Sequence, residues 1–483
     1  MEVDGTGTPC EQDGNPSDSQ VQGYSEPNLP EDIWYHMHSL MPMQDAAQFA
    51  CVARAFVCSW RCRPCLDLSE QTFGNGYRKY GSARDFNRKV DHILKNHSGI
   101  GVKAFKFNVP PVYDEDSVHL DRLDSWLQIA VKPGIKELRL ILTADKKYNF
   151  PCSLLSGETG ATLQYLSLAF CHFHPTVKLG CFRSLTKLQL SMVHITASEL
   201  GWLLSNSLAL ELLKLRNCNS INCLKIPCLQ RLSYLEVICC TGLKEIESKA
   251  PNISSVWVAG DPHVQLSLEN TCHIKTLNMD CSNFAFYART NLPSIMPNLE
   301  ALSVRSYTEM VNTPMVPSKF LHLKSLSIAV GGLTFDFLSL ASFLDASPSL
   351  QTFILEIFRE FKERVSVFED HSDMRIMPGH HHSKLKHVKI IKFSAAKSLA
   401  ELTCHILESA TSLECLTLDT THGMPRCSVN RTGKCSFMLK EAVVEAQKGV
   451  LVAQAFIKPK VPPTVEFNVL EPCTWCHDVG SYF

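Results

Sequence analysis

The chain has 483 residues, 45% of them hydrophobic, and its 47 Lys and Arg almost balance its 48 Asp and Glu, leaving a net charge of -1. That length permits two or three domains with ample core, while the charge balance excludes a strong electrostatic grip on nucleic acid or an anionic membrane. No run of about 18 apolar residues exists to span a bilayer. An odd 21 cysteines with no secretory signal read as reduced thiols in cytoplasm or nucleus, not as a disulfide framework.

Residues 1–27 are polar, acidic and rich in Gly, Ser and Pro, the composition of a disordered leader, without the basic end and apolar stretch of a signal peptide. From residue 28 to 66 the apolar residues take helical spacing. Ile33, Met37 and Leu40 mark one face of a first helix, Ala46, Phe49 and Ala50 a second, and Val52, Phe56 and Trp60 a third. Pro30 suits a first helical turn, and Pro42 ends the helix before it. Helices this short need a partner, a metal or a larger core to cover their apolar sides. Residues 67–99 add a linking helix with Phe86, Val90, Ile93 and Leu94 on one side, stopped at His97-Ser98-Gly99.

From residue 100 to 425 one hexad, apolar-x-x-apolar-x-apolar, recurs thirteen times, from VKAFKF at Val102 through LTKLQL at Leu185 and LSYLEV at Leu232 to LECLTL at Leu413. Successive starts lie 21 to 35 residues apart, the spacing and pattern of leucine-rich repeats. Cys171, Cys218 and Cys240 stand three residues after the last apolar position of their hexads, where a small side chain tucks in as the chain turns. Other repeats have Val193, Asp261 or Tyr307 nearby instead, so the array is irregular. A helix opens near Asp121 and ends near Pro133-Gly134. Another, over residues 396–410, puts Leu399, Leu402, Ile406 and Ala410 on one face. A lone repeat cannot bury its apolar side, so the repeats must stack into a solenoid. The predicted fold class is α/β: a short α-helical module, then a parallel β arc with helices or loops on its convex side and a C-terminal cap and tail over 426–483.

The order Leu29-Pro30-x-x-Ile33, Leu40-Met41-Pro42, Asp45-Ala46-Ala47, Val52-Ala53-Arg54-Ala55-Phe56 and Trp60-Arg61 resembles an F-box. Ala53 stands where that family often has Ser, and His38 where an apolar residue is common. Residues 385–418 look like the FBD region that follows leucine-rich repeats, and the whole arrangement is similar to plant F-box/leucine-rich-repeat proteins. The resemblance implies docking on a Skp-type adaptor, and through it on a cullin, by Leu29, Pro30, Ile33, Met37, Leu40, Pro42, Ala46, Val52, Phe56 and Trp60. It implies a non-catalytic, substrate-recruiting subunit of a ubiquitin ligase. The alternative is a repeat scaffold or sensor whose helices only cap the array.

Alternation along each strand points Lys187, Arg216, Tyr234, Trp257, Asn278 and Arg305 away from the core, with Gln189, Lys214, Glu236 and Asp280 beside them. Tyr, Trp and Arg dominate interface energetics, so this face is the expected site for a protein target. No nucleophile elbow, phosphate loop or dinucleotide fingerprint occurs, and no active site or cofactor is expected. Cys473-Thr474-Trp475-Cys476-His477 matches a haem-attachment spacing but lacks an export signal and reads as an inert tail. Cys58, Cys62 and Cys65 lack an obvious fourth ligand, and His380-His381-His382 reads as a solvated loop. No metal site is expected.

Overall fold

The computed structural model describes residues 30–51, 54–69, 72, 83–98, 101–108, 122–143, 147–176, 179–260, 264–268, 271–332, 334–358, 365–369, 372–375, 377, 381–423, 435–473 and 476. Three helices come first: α1 (Glu31–Leu40), α2 (Met43–Ala50) and α3 (Arg54–Arg61). A single parallel sheet follows, with fifteen strands in strict chain order. Its first eight are β1 (Cys65–Leu68), β2 (Ala104–Asn108), β3 (Glu137–Ile141), β4 (Tyr165–Ala169), β5 (Lys187–Ser191), β6 (Leu212–Arg216), β7 (Tyr234–Ile238) and β8 (Ser255–Ala259). The rest are β9 (Thr276–Asp280), β10 (Ala301–Ser306), β11 (Ser325–Val330), β12 (Thr352–Ile357), β13 (His387–Ile391), β14 (Cys415–Asp419) and β15 (Glu466–Leu470).

All thirteen expected hexads form strands, and their second apolar positions lie side by side. Leu188 pairs with Leu213, Leu213 with Leu235 and Leu235 with Val256, each fully buried. The start of each strand from β2 to β14 repeats one device. Two successive N–H groups donate to one carbonyl of the preceding repeat: Lys136 and Glu137 to Lys103, Glu211 and Leu212 to Thr186, Lys324 and Ser325 to Glu300. After the strand, Phe170, Met192, Asn217 and Cys239 take φ between 52° and 58°, a left-handed kink that turns the chain off the sheet. In β4 to β7 a buried residue follows at once, and in three repeats it is the expected cysteine. Cys218 Sγ lies 3.6 Å from the Leu190 carbonyl and Cys240 Sγ 3.9 Å from that of Leu215, so each thiol bonds a carbonyl in the strand of the preceding repeat.

Repeat length decides what covers the convex side. Three of the four shortest repeats, 21 or 22 residues from hexad to hexad, return through strands (Cys223–Ile226, Glu245–Ser248 and Gln265–Leu268) that form their own parallel sheet. Repeats of 25 residues or more have room for helices, such as α4 (Ala197–Ser205) after β5 and α5 (Phe284–Ile295) after β9. The convex side is therefore part sheet, where helices or loops were expected.

Two strands were not anticipated. β1 precedes the first expected hexad and β15 follows the last, so the sheet runs past both ends of residues 100–425. In each, the first hexad position is polar: Arg63 ahead of Leu66 and Leu68, Thr464 ahead of Phe467 and Val469. The expected helix over 396–410 is α6 (Lys397–Ser409), but it is buried on nearly every side, including Glu401, His405 and Lys397. Arg375 neutralises Glu401, with Nε and Nη2 both donating to its Oε2, and forks onto the two carboxylate oxygens of Asp336. The C-terminal segment is more than a tail. Helix α7 (Lys440–Val452) runs into a π turn at Ala453–Ile457, and the chain returns as β15.

Candidate functional site

The N-terminal helices present one apolar row. Ile33 is 41% exposed, Met37 37% and Leu40 73%, on successive turns of α1, and Phe49 of α2 is 46% exposed. Pro30 and Pro42 are exposed beside them. Clustered large apolar side chains left open to water mark an interaction surface. Three of the expected docking residues do not share this surface. Ala46 is fully buried, because its small side chain sits on the inner side of α2, which packs on α3. Phe56 is half-buried, edge-on to Phe49 at 6.0 Å, and Trp60 packs against the core of the repeats. Leu29 and Val52 lie outside the described residues.

Arg63 fixes this surface to the sheet. Its buried guanidinium donates to the carbonyls of His38 (2.7 Å) and Met41 at the end of α1, and through Nε to the Cys65 carbonyl on β1 (3.0 Å). The carbonyl of Arg63 meets His97 Nε2 at 2.9 Å. One side chain thus ties helix, strand and linker. Sequence reading missed it because an arginine fills a place that the repeat reserves for leucine.

His38 is 2% exposed, stacks on Phe56 at 5.4 Å, and neither ring nitrogen has a hydrogen-bond partner. It behaves as the apolar residue common at this position. Burial first, and then the Arg63 charge, pull its pKa below 6.5. The unfolded chain therefore takes up this proton first, and stability falls as pH drops below about 6.5. His97, lowered chiefly by burial, acts in the same direction. His38→Phe is expected to flatten part of the decline in melting temperature between neutral and mildly acidic pH. An unchanged pH profile would show that His38 does not contribute.

The open face of the sheet gathers the other expected residues. Lys187, Tyr234, Arg216, Trp257, Asn278 and Arg305 come from strands β5 to β10, with Trp257 paired directly to Asn278. Lys187 and Arg305 are exposed and the other four half-buried. Glu236, expected on the surface, is instead fully buried at the hub of a cluster. Arg216 Nε is 2.5 Å from it, Tyr234 Oη 2.8 Å and Lys214 Nζ 3.2 Å, and Lys214 also lies over the Tyr234 ring. Burial alone would raise the Glu236 carboxyl, but bonds from Arg216, Tyr234 and Lys214 outweigh it and hold the group below 4.5. A depressed folded-state pKa stabilises the fold above the unfolded value and is lost as pH falls through the folded one. Glu236→Gln should therefore weaken the fold at neutral pH and shrink the loss of stability below about pH 4.5. Equal acid limbs in both proteins would count against the hub.

The same face holds residues that sequence reading passed over. Tyr165 occupies the hexad place of Tyr234. Arg139 lies over its ring at 4.5 Å and Gln189 accepts from its hydroxyl at 2.9 Å. Farther along, Tyr307 stacks on Phe358 at 4.6 Å, next to Lys392 and Glu356.

Folding also assembles groups with metal-ligand chemistry that no single segment revealed. His172 and His194 hold equivalent places in adjacent repeats and stack at 4.8 Å, with His174 beside them and 2.9 Å from Glu199. His382, expected in a solvated loop, is buried instead, 3.3 Å from Asp345 and facing His405. His380 lies outside the described residues. Cys435 meets Cys473 and Cys476, so the latter pair is not isolated as its inert-tail reading assumed. Cys58, Cys62 and Cys65 form no such group among the described residues. No described helix is long and apolar enough to cross a membrane.

One parallel strand per repeat of LxxLxL pattern, with helical or β returns, defines a leucine-rich-repeat protein, here with three helices fixed to its first strand. Residues 93–474 match the family model described as the At1g61320/AtMIF1 LRR domain. The chain belongs to this family, within the plant F-box/leucine-rich-repeat proteins. It is similar to putative FBD-associated F-box protein At1g61330 of Arabidopsis thaliana, 24% identical over 421 residues, covering 81% of this chain and 89% of the relative. It is likewise similar to putative FBD-associated F-box protein At5g53635 of the same plant, 24% identical over 420 residues, covering 81% and 94%. FBD-associated F-box protein At5g56380, also from Arabidopsis thaliana, is 28% identical over 226 residues, 43% of this chain and 48% of the relative.

Proposed function

We propose that the protein is the substrate-recruiting subunit of a Skp–Cullin–F-box ubiquitin ligase. The observation that carries this reading is the open apolar row of Ile33, Met37, Leu40 and Phe49 on helices that Arg63 locks to the repeats. A Skp-type adaptor covers that row. A protein target binds the open face around Lys187, Arg216, Tyr234, Trp257, Asn278 and Arg305, with Tyr165 and Arg139 extending the surface. The chain itself performs no chemistry. It raises the local concentration of target lysines beside a ubiquitin-charged enzyme, as any tether does, and a rigid sheet fixes distance and direction. The compartment is cytoplasm or nucleus, in keeping with buried thiols at Cys171, Cys218 and Cys240.

The test is co-purification of the full chain with a recombinant Skp-type adaptor and cullin, followed by a ubiquitination assay. The reading requires a complex at submicromolar concentration that supports ubiquitin transfer. A chain that binds no Skp-type adaptor at micromolar concentration is a repeat scaffold, and the ligase reading is then wrong.

A further inference from the structure

We propose that Cys435, Cys473 and Cys476 bind one structural zinc ion that fastens the C-terminal end of the repeat array. Their sulfur atoms all lie within 4.8 Å of one another, and each residue is half-buried. Tetrahedral zinc with Zn–S bonds of about 2.3 Å sets its sulfurs roughly 3.8 Å apart, so small side-chain movements close the cluster around an ion. Cys473 and Cys476 have the C-x-x-C spacing that lets one tight turn offer two thiolates. Cys435 arrives from a segment 38 positions earlier, a convergence that the two-residue spacing alone would not require. Three soft thiolates select zinc over hard cations. Three sulfurs leave the fourth position of the tetrahedron to a water molecule.

The position explains the need. Cys435 lies just before α7 and Cys473 just after β15, the last strand of the sheet. None of the five residues of β15 is fully buried, unlike those of the interior strands. Helix α7 contributes a small separate core of Met438, Ala442, Val443 and Ala446. Val452, Ala453 and Ile457 tie the end of α7 to the main core, but the last strand itself is short of apolar burial, the circumstance in which small units rely on a metal. An ion bridging the two segments closes the loop that carries α7 and β15, and its binding free energy becomes folding free energy for that unit.

Zinc is measured in the full-length chain after gel filtration with a weak chelator, alongside Cys435→Ser, Cys473→Ser and a Cys58→Ser control. The expected result is one zinc per chain in the wild type and control, lost in both test variants. Chelation with a strong agent lowers the melting temperature of the wild type but not of the variants. Should a variant fail to fold, cobalt is titrated into metal-stripped wild type. An intense near-ultraviolet sulfur-to-cobalt band then supports the site. Its absence overturns the proposal, as does substoichiometric zinc in the wild type, zinc retained in both folded variants, or a Cys473–Cys476 disulfide in the purified protein.

Discussion

On the proposed function, replacing Ile33 and Leu40 together by aspartate is expected to weaken capture of a Skp-type adaptor by at least about 100-fold in Kd, without changing the melting temperature. Both side chains are exposed in the free chain, so their loss opens no cavity, and surface substitutions of that kind stay within about 0.5 kcal/mol. In a complex the same positions become a dry, apolar contact, where an unpaired carboxylate has no compensating partner. A 100-fold loss is about 2.7 kcal/mol, modest for two central residues of an interface. Calorimetric titration of the adaptor measures it. Ala46→Asp supplies the contrast: it also abolishes binding, but by placing a charge in the packed interior of the helices, so its melting temperature falls. If the double variant binds as wild type does, the row on α1 is not the docking surface.

Arg63→Ala carries the largest expected cost in stability, about 3 kcal/mol or more, since a hydrogen bond from a charged donor contributes about 1.5–3 kcal/mol and each buried carbonyl left without a donor costs about 1–3 kcal/mol. Three carbonyls lose their donor at once, two at the end of α1 and one on β1. Lysine does not restore them, because a single ammonium cannot reproduce the fork that spans helix and strand. The loss is local: amide exchange quickens in the last turn of α1 and in β1, and protease cuts between α3 and β1, while strands β5 to β12 keep their protection. Exchange profiles that match the wild type throughout would show that the helices are held to the sheet by other contacts.

The interior of the fold is legible in the sequence because each hexad carries its own signal, three aliphatic residues at strand spacing, and thirteen copies reinforce one another. The two ends are not, for one physical reason. A terminal strand is covered on one side only, so its first hexad position need not be apolar. Arg63 serves as a clamp there, and Thr464 is exposed. The exposed apolar row on the first helices was half legible. Helical spacing finds Ile33, Met37 and Leu40, yet the same spacing puts buried Ala46 and exposed Phe49 on one face of α2, because it cannot tell the outer side of so short a helix from the inner one. On the open face, alternation placed Tyr234 and Arg216 correctly on neighbouring strands. It could not show that Glu236 would be sealed beneath them, since that depends on two cations and a hydroxyl from two strands converging. Clusters built from separate repeats, such as His172 with His194 or Asp345 with His382, lie beyond any reading of single segments.

The shared carbonyl at each strand start bears on how such genes can change. Successive hexads begin anywhere from 21 to 35 residues apart, yet each of strands β2 to β14 enters the sheet on the same pair of hydrogen bonds from one repeat to the next. Inserted or deleted codons between strands are absorbed before that point and leave the downstream alignment untouched. The same events inside a hexad shift every side chain from one face to the other. Length variation among descendants of this gene should therefore collect on the convex returns, while the spacing of side chains along the open face is inherited almost unaltered.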